Sequence, residues 1–510
     1  MKKRFIVPNL TKIASRFFVS RIAEISLYRT VGSEIQQNQL HSLLVCAKNT
    51  EIGQLYQFSK IKNYSGFSNN VPLHTYEEMA PYIKRMLNGA QNILWPSKIY
   101  RFAQSSGTTG DKSKFIPVSN EGLRNCHYAG GRDCLALYLC HHPQSRIFSG
   151  KGLVLGGSLK KLDISQRQVC GDLSAILIKN LSFLANYLRT PGKKIALMNE
   201  WEAKLEAISR RVIKENVTNL SGVPSWFLVL LKKILNQTGK TYLTDIWPNI
   251  EVFFHGGINF EPYKEQYRAL IPSPDMHYME TYNASEGFFG IQDALDDKSL
   301  LLMLDYGIFY EFIPLEQINL PNPQTLPLEG IELHKHYAPV ITTNNGLWRY
   351  IIGDTIQFTS KNPYKFLITG RTKHFINAFG EELMIHNTDQ ALVKACKQTG
   401  AIIREYTVAP IYISSKLTGC HQWLIEFEKK PDSPAVFTRC LDRALKELNS
   451  DYEAKRYKDM TLSEPKIEIA RDHLFYNWLE RKNKLGGQHK VPRLSNDRRY
   501  MDELLKMNDR

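Results

Sequence analysis

The stretch Gln104-Ser105-Ser106-Gly107-Thr108-Thr109-Gly110-Asp111-Lys112-Ser113-Lys114 constrains this chain more than any other. It follows Tyr100-Arg101-Phe102-Ala103, which reads as a strand, and precedes Ser119, an N-cap candidate just ahead of Glu121. Glycines at 107 and 110 let backbone N–H groups turn inward, and small hydroxyls add donors without bulk. A concave row of donors beside Lys112 and Lys114 suits the oxygens of a phosphate chain. Strand, anion loop and helix in that order predict an α/β fold with its ligand at a sheet edge. The Walker arrangement is excluded, because no Gly-Lys-Ser/Thr run occurs in the stretch. A solvent-exposed Ser/Thr/Gly loop accounts for the same composition, so the reading needs support from elsewhere in the chain.

The 510 residues are enough for two or three domains with real cores. A net charge of +16 calls for an anionic partner. The basic residues are scattered, with only short clusters such as Lys2-Lys3-Arg4 and Arg498-Arg499, and no nucleic-acid-binding signature accompanies them. The charge therefore fits a nucleotide-sized substrate and argues against nucleic acid. Eight cysteines without a CxxC pair give no disulfide framework and no structural zinc, and predict buried, reduced thiols. The N-terminus lacks the apolar core of a secretory signal, and no apolar run is long enough to span a bilayer. A cytoplasmic monomer is the expectation.

Taken in order, the chain shows helical patterns first. Val71 to Arg85 carries Thr75 as N-cap with Glu78 three residues on, a capping box. Lys151 to Ser158 reads as a strand entering a turn, and Trp201 to Glu215 has helical period. Leu220-Ser221-Gly222-Val223-Pro224-Ser225-Trp226 breaks that period before a helix over Phe227 to Leu235. Ile250 to Phe254 is an apolar strand that runs through His255 into Gly256 and Gly257, where a planar group can lie against bare backbone. In Tyr282-Asn283-Ala284-Ser285-Glu286, the carboxylate can hold a magnesium ion, although a solvated turn glutamate fits the segment equally well. Asp354, after Gly353 at the end of an apolar strand, can accept two hydrogen bonds from a ribose diol; alone, Gly-Asp is a common turn. Beyond about Gly370 the composition changes to a smaller α+β unit, with strands near Ile402 to Pro410 and Trp423 to Phe427 and a helix over Val436 to Leu448. The tail from Lys484 to Leu494 reads as a flexible glycine turn presenting Lys490 and Arg493.

Together and in this order, these segments resemble the auxin-responsive promoter family of acyl-acid amido synthetases, in its bacterial branch. That family belongs to the adenylate-forming superfamily of acyl-CoA synthetases and luciferases. The resemblance covers nearly the whole chain. It is closest at Val71 to Arg85, Ser105 to Pro117, Gly222-Val223-Pro224-Ser225-Trp226 and Gly370 to Leu383. One departure is Asp111-Lys112-Ser113-Lys114-Phe115, where the wider superfamily has Pro-Lys-Gly; it fits the amido synthetases better than acyl-CoA ligases.

The resemblance implies an α/β fold with a large N-terminal domain of mixed sheets and helices, residues 1–369, binding ATP and an acyl acid. A smaller, hinged and mobile α+β domain, residues 370–510, would follow. It implies that Ser105, Ser106, Gly107, Thr108 and Thr109 hold the phosphates of ATP. Gly256 and Gly257 would flank the adenine, with Tyr282, Asn283, Ala284 and Ser285 completing its site. Glu286 would reach Mg²⁺, Asp354 the ribose, and Arg371 the ribose or a phosphate. Lys373 would mark the hinge, and Lys490 would stabilise charge during adenylation. The reaction expected is activation of a carboxylic acid as acyl-adenylate, then conjugation to an amine such as an amino acid. An acyl-CoA ligase using the same first step, or a non-catalytic nucleotide-binding protein, are the alternatives.

Overall fold

The computed structural model describes residues 11–105, 114–160, 168–258, 260–372, 375–376, 378, 381, 383–411, 419–449, 452–453, 456, 462–482 and 491–509. Ser106, Gly107, Thr108, Thr109, Lys112, Lys373 and Lys490 lie outside these residues, and Ser105 is described in its backbone only.

Helices Thr11–Ser26, Tyr28–Ala47 and Tyr76–Leu87 form the start of the chain. The capping box is made as the sequence predicts: the Thr75 N–H donates to Glu78 Oε2 at 2.6 Å and the Thr75 hydroxyl to the same oxygen at 2.9 Å. Strand β1 (Arg101–Ser105) pairs antiparallel with β2 (Lys114–Val118), so the two strands enter and leave the hydroxyl-rich loop side by side. Ser119 then caps the next helical segment, its Oγ accepting from the Gly122 N–H at 2.8 Å. A π-helical turn, Gly122–His127, runs into α1 (Tyr128–His141).

Strands β3 (Lys151–Val154), β4 (Val217–Gly222), β5 (Val252–Gly256) and β6 (His277–Asn283) are joined through α2 (Trp201–Val212) and α3 (Pro224–Thr238) and pair in parallel. β7 (Phe288–Gln292) and β8 (Leu300–Leu302) continue the sheet antiparallel, followed in space by β10 (Tyr364–Arg371) and β9 (Asp354–Lys361). Among the described residues this sheet has twelve strands, a mixed α/β layer with helices against its parallel half. Helix α3 starts at Pro224, three residues earlier than the sequence pattern suggested, because proline at a first helical turn gives up no hydrogen bond and has its φ already set.

The C-terminal part has its own three-stranded sheet, β11 (Ile402–Ile411), β12 (Cys420–Lys429) and β13 (Lys466–Ala470), with α4 (Ile385–Thr399) and α5 (Pro434–Leu448). Its apolar residues form clusters apart from the large sheet, around Tyr406, Trp423 and Leu441 and around Leu474 and Trp478. The eight cysteines are free, but only Cys126, Cys134 and Cys170 are buried; Cys396, Cys420 and Cys440 are half-buried and Cys46 and Cys140 exposed. Among the described residues no helix is long and apolar enough to cross a membrane.

Candidate active site

The carboxyl ends of β4, β5 and β6 open on one large cleft, with a volume of about 2270 Å³. That exceeds what a single small ligand fills and leaves room for a nucleotide together with a second substrate. Position follows from the parallel pairing: His255 stands opposite Glu280 and Gly256 opposite Thr281, so both strands deliver their last residues to the same edge. The approach at Gly256 admits no side chain, since a Cβ there would stand 2.3 Å from the Thr281 carbonyl oxygen. Gly257 follows at φ +84°, a left-handed turn that glycine adopts without strain. Both glycines line the cleft.

A second register delivers the acidic end of the site. Asp354 opens β9 and Arg371 closes β10, and the two are direct cross-strand partners. Arg371 Nε lies 2.9 Å from Asp354 Oδ1, and the Tyr282 hydroxyl donates to the other carboxylate oxygen. The Tyr282 ring is fixed against Phe289, with centroids 4.8 Å apart. Burial and the neighbouring Asp354 push the Tyr282 phenol well above its ordinary range, so it remains a donor. Asp354 raises the pKa of Arg371 in turn.

Glu286 sits in a tight turn in which the Ala284 N–H donates to the Gly287 carbonyl at 2.8 Å. It is 7% exposed and lines the cleft. Burial pushes its carboxyl up and Asp354 adds to the effect, while Arg371 and Lys114 pull the other way. Among the described residues no group of three or more His, Cys, Asp and Glu could form a metal cage. A hard cation at Glu286 would complete its shell with ligand oxygens and water, the manner in which Mg²⁺ is usually held beside phosphates.

Of the residues singled out from sequence, Gly256, Gly257, Tyr282, Asn283, Ala284, Ser285, Glu286, Asp354 and Arg371 all line this one cleft, and Lys114 joins them. The glycine turn expected before Arg493 lies outside the described residues; Arg493 itself is described and held by partners far away in the chain. It is ion-paired with Glu405, donates to the Tyr263 hydroxyl at 2.9 Å and lies over the Tyr406 ring at 4.4 Å.

Three groups escaped the sequence reading. Lys204 is buried and its ammonium donates to the Gly156 and Gly157 carbonyls at 2.7 and 2.8 Å, holding the turn after β3 where it lines the cleft. Burial draws its pKa down to about 8. A signal existed: Lys204 falls on the face of α2 that buries Trp201, Leu205, Ile208 and Val212, where a charge is out of place. Burial pushes Glu280 up to about 7, with Glu261 adding and Lys298 opposing. His127 lines the cleft beside Asn283. Neither Glu280 nor His127 stands out in sequence, since each depends on pairing between distant segments.

Three family profiles match the chain: the GH3 family N-terminal domain over residues 21–276, the GH3 family central domain over 301–371 and the GH3 family C-terminal domain over 386–499. Among curated proteins the chain is similar to the indole-3-acetic acid-amido synthetase GH3.3 of Arabidopsis thaliana, 23% identical, with 90% of this chain and 89% of that one covered. It is also similar to the 4-substituted benzoates-glutamate ligase GH3.12 of Arabidopsis thaliana, 24% identical, with 90% and 92% covered. Among solved structures, the GH3.15 acyl acid amido synthetase superposes with a TM-score of 0.77 at 19% identity, covering 96% of this chain and 95% of the other. A 2-hydroxyisobutyryl-CoA ligase in complex with 2-HIB-AMP superposes with a TM-score of 0.59 at 12% identity, covering 93% and 92%. The fold is that of adenylate-forming ligases.

Proposed function

The chain belongs to the GH3 family, and on that premise we propose that it is an acyl-acid amido synthetase: it activates a carboxylic acid with ATP and joins it to the amine of an amino acid. The observation that carries this reading is convergence. Tyr282 and Glu286, Asp354, and Arg371 come from three separate stretches and meet in one cleft beside the bare backbone of Gly256 and Gly257.

A carboxylate resists amines because its charge repels them and oxide is a poor leaving group. In the first step an acid oxygen bonds to the α-phosphorus of ATP and the bond to pyrophosphate breaks. In the second the amine nitrogen bonds to the acyl carbon, the bond to AMP breaks, and the amine gives up a proton. Positioning and charge neutralisation are most of what the protein has to supply.

In this reading Ser105, Ser106, Gly107, Thr108 and Thr109 receive the phosphates, Gly256 and Gly257 flank the adenine, and Tyr282, Asn283, Ala284 and Ser285 complete its site. Asp354 receives the ribose, already oriented by Tyr282 and Arg371. Glu286, a buried carboxylate displaced toward neutrality, suits a divalent cation. Mg²⁺, when bound, supplies positive charge against the phosphate oxygens. Residues 370–510 would act as the small domain that brings Lys490 to the site; the separate apolar clusters of that part support the division.

The test is pyrophosphate release dependent on both ATP and acid, with Glu286→Ala and Lys490→Ala each impairing it and the product identified by mass as an amide. Folded protein that takes up no Mg·ATP in calorimetry refutes the reading, and so does normal adenylation in both variants.

A further inference from the structure

The short helix Phe183–Tyr187 gathers exposed apolar side chains as no other described segment does. Phe183 is 88% exposed, Leu184 68% and Tyr187 67%. At 3.6 residues per turn the three fall within one arc of about 100°. The other exposed large apolar residues stand singly along the chain, which is ordinary for a protein surface. Three together on one face are not ordinary, because covering them would recover free energy that the lone chain forgoes.

Polar contacts on both sides hold this segment in place. Ser182 Oγ caps the helix, accepting from the Ala185 N–H at 3.3 Å. Lys193 donates to the Lys179 and Leu181 carbonyls at 3.0 and 3.2 Å and fixes the entry. The buried Arg189 donates to Asn186 Oδ1 at 2.7 Å and to the Pro191 carbonyl at 2.6 Å and fixes the exit. The apolar face is thereby presented outward at a fixed position.

The charges around it select the partner. From Leu173 to Asn199 the chain has Lys179, Arg189, Lys193 and Lys194 and no carboxylate. Lys179 and Lys194 are exposed and make no ion pair among the described residues. Lys151 and Arg211, near Phe183 and Tyr187, both pair with Glu215, so the three leave a net positive charge. An apolar tip flanked by free lysines fits a surface that is apolar within and anionic at its face, which a bilayer containing acidic lipids is. A second copy of this chain fits worse: it would set the same lysines against each other, and three side chains cover little of the area a stable subunit contact needs.

We propose that Phe183, Leu184 and Tyr187 enter the interface of an anionic bilayer while Lys179 and Lys194 meet its acidic headgroups. The contact is peripheral, since among the described residues no helix is long and apolar enough to cross a membrane. Leu184 also lines the cleft, as do Leu181, Ala185 and Leu188, so the patch stands at an open edge of the candidate site and docking sets that edge against the bilayer. The binding depends on this surface alone and stands whether or not the ligase reading holds.

The experiment is sedimentation of the full chain with sucrose-loaded vesicles, either of phosphatidylcholine alone or of phosphatidylcholine with about a third phosphatidylserine. The expected result is binding to the acidic vesicles that is about tenfold tighter or more, and that weakens as salt is raised to about 0.5 M. The triple variant Phe183→Ser, Leu184→Ser, Tyr187→Ser should bind about a hundredfold more weakly. Phe183→Trp alone should keep the binding, because tryptophan suits the same interfacial depth. Lys179→Gln and Lys194→Gln should each weaken it by about fivefold. Circular dichroism and the urea midpoint verify that every variant is folded, and the replaced side chains are exposed, so no core is lost. Absence of binding to the acidic vesicles refutes the proposal, as does equal binding to both kinds. Binding that survives the triple variant refutes it too, since the contact then lies elsewhere on the chain. A dimer seen by light scattering without lipid and abolished by the triple variant would make the patch a subunit contact, and overturns the proposal in favour of that partner.

Discussion

Replacing Glu280 by glutamine probes the electrostatics of the cleft directly. Glu280 lies on β6 between Tyr278 and Tyr282, and burial raises its carboxyl from the ordinary 4.5 to about 7, with Glu261 adding to the rise. Below pH 4.5 the group is protonated folded and unfolded, so it contributes nothing. As pH rises toward 7 the unfolded chain releases its proton before the folded one, and the folded state increasingly bears the cost of a buried charge. A rise of that size is equivalent to about 3 kcal/mol, and contact with solvent at the cleft reduces it to about 2 kcal/mol. Glutamine is neutral throughout and of the same shape. Glu280→Gln is therefore expected to match the parent near pH 4.5 and to exceed it by about 2 kcal/mol at pH 8. Urea unfolding of both proteins at several pH values reads the difference. A difference that does not vary with pH, or a variant less stable than the parent at pH 8, refutes the reasoning.

Asp354→Ala should raise the KM for ATP by about tenfold, through loss of a ribose partner, with little effect on the KM for the acid; an unchanged ATP dependence excludes the ribose role. Arg493→Met should destabilise the protein by about 2 kcal/mol, because it leaves the half-buried Glu405 without its cation. Combining it with Glu405→Gln should recover part of that loss in denaturant unfolding, and strictly additive losses would show that the pair is not coupled.

Local chemistry was legible from the sequence; pairing between distant segments was not. The Thr75–Glu78 capping box and the Ser119 cap are decided within four residues, and both form as expected. Strand β1 leading to the hydroxyl-rich stretch was legible for the same reason. Glu286 and Asp354 could be marked as candidates, but each had an ordinary turn as its alternative, and only the family resemblance joined them. What puts Asp354 beside Arg371 is the register of β9 on β10, and what puts Tyr282 on Asp354 is the packing of the whole sheet. Such placements depend on tertiary pairing, which a single chain does not display. The pairing of Arg493 was hidden for the same reason: its partners, Glu405 and Tyr263, lie far away in the chain.

The charges in the cleft sort into two groups, and on the proposed reading the sorting bears on why ATP would bind together with Mg²⁺. Asp354 is paired with Arg371, and Glu405 with Arg493, although burial still raises the Glu405 carboxyl. Glu261 has Lys298 at 3.3 Å and Lys264 at 3.7 Å. Glu280 and Glu286 have no cation in ion-pair contact among the described residues and carry raised pKa values, chiefly from burial, with a carboxylate neighbour pushing in the same direction. A bare triphosphate brought to Glu286 would add more negative charge beside a carboxylate that already favours its proton. On the proposed reading Glu286 would help to hold a divalent cation, whose positive charge would offset that repulsion. On this reading a bound cation would offset the cost of the buried Glu286 charge. On this argument ATP without Mg²⁺ should bind worst to the protein in which Glu286 is intact, and Glu286→Gln should bind metal-free ATP better than the parent does while losing the benefit of adding Mg²⁺. Calorimetric titrations of the two proteins with and without the metal decide it, and tighter metal-free binding by the parent would remove the electrostatic basis for the assignment of Glu286.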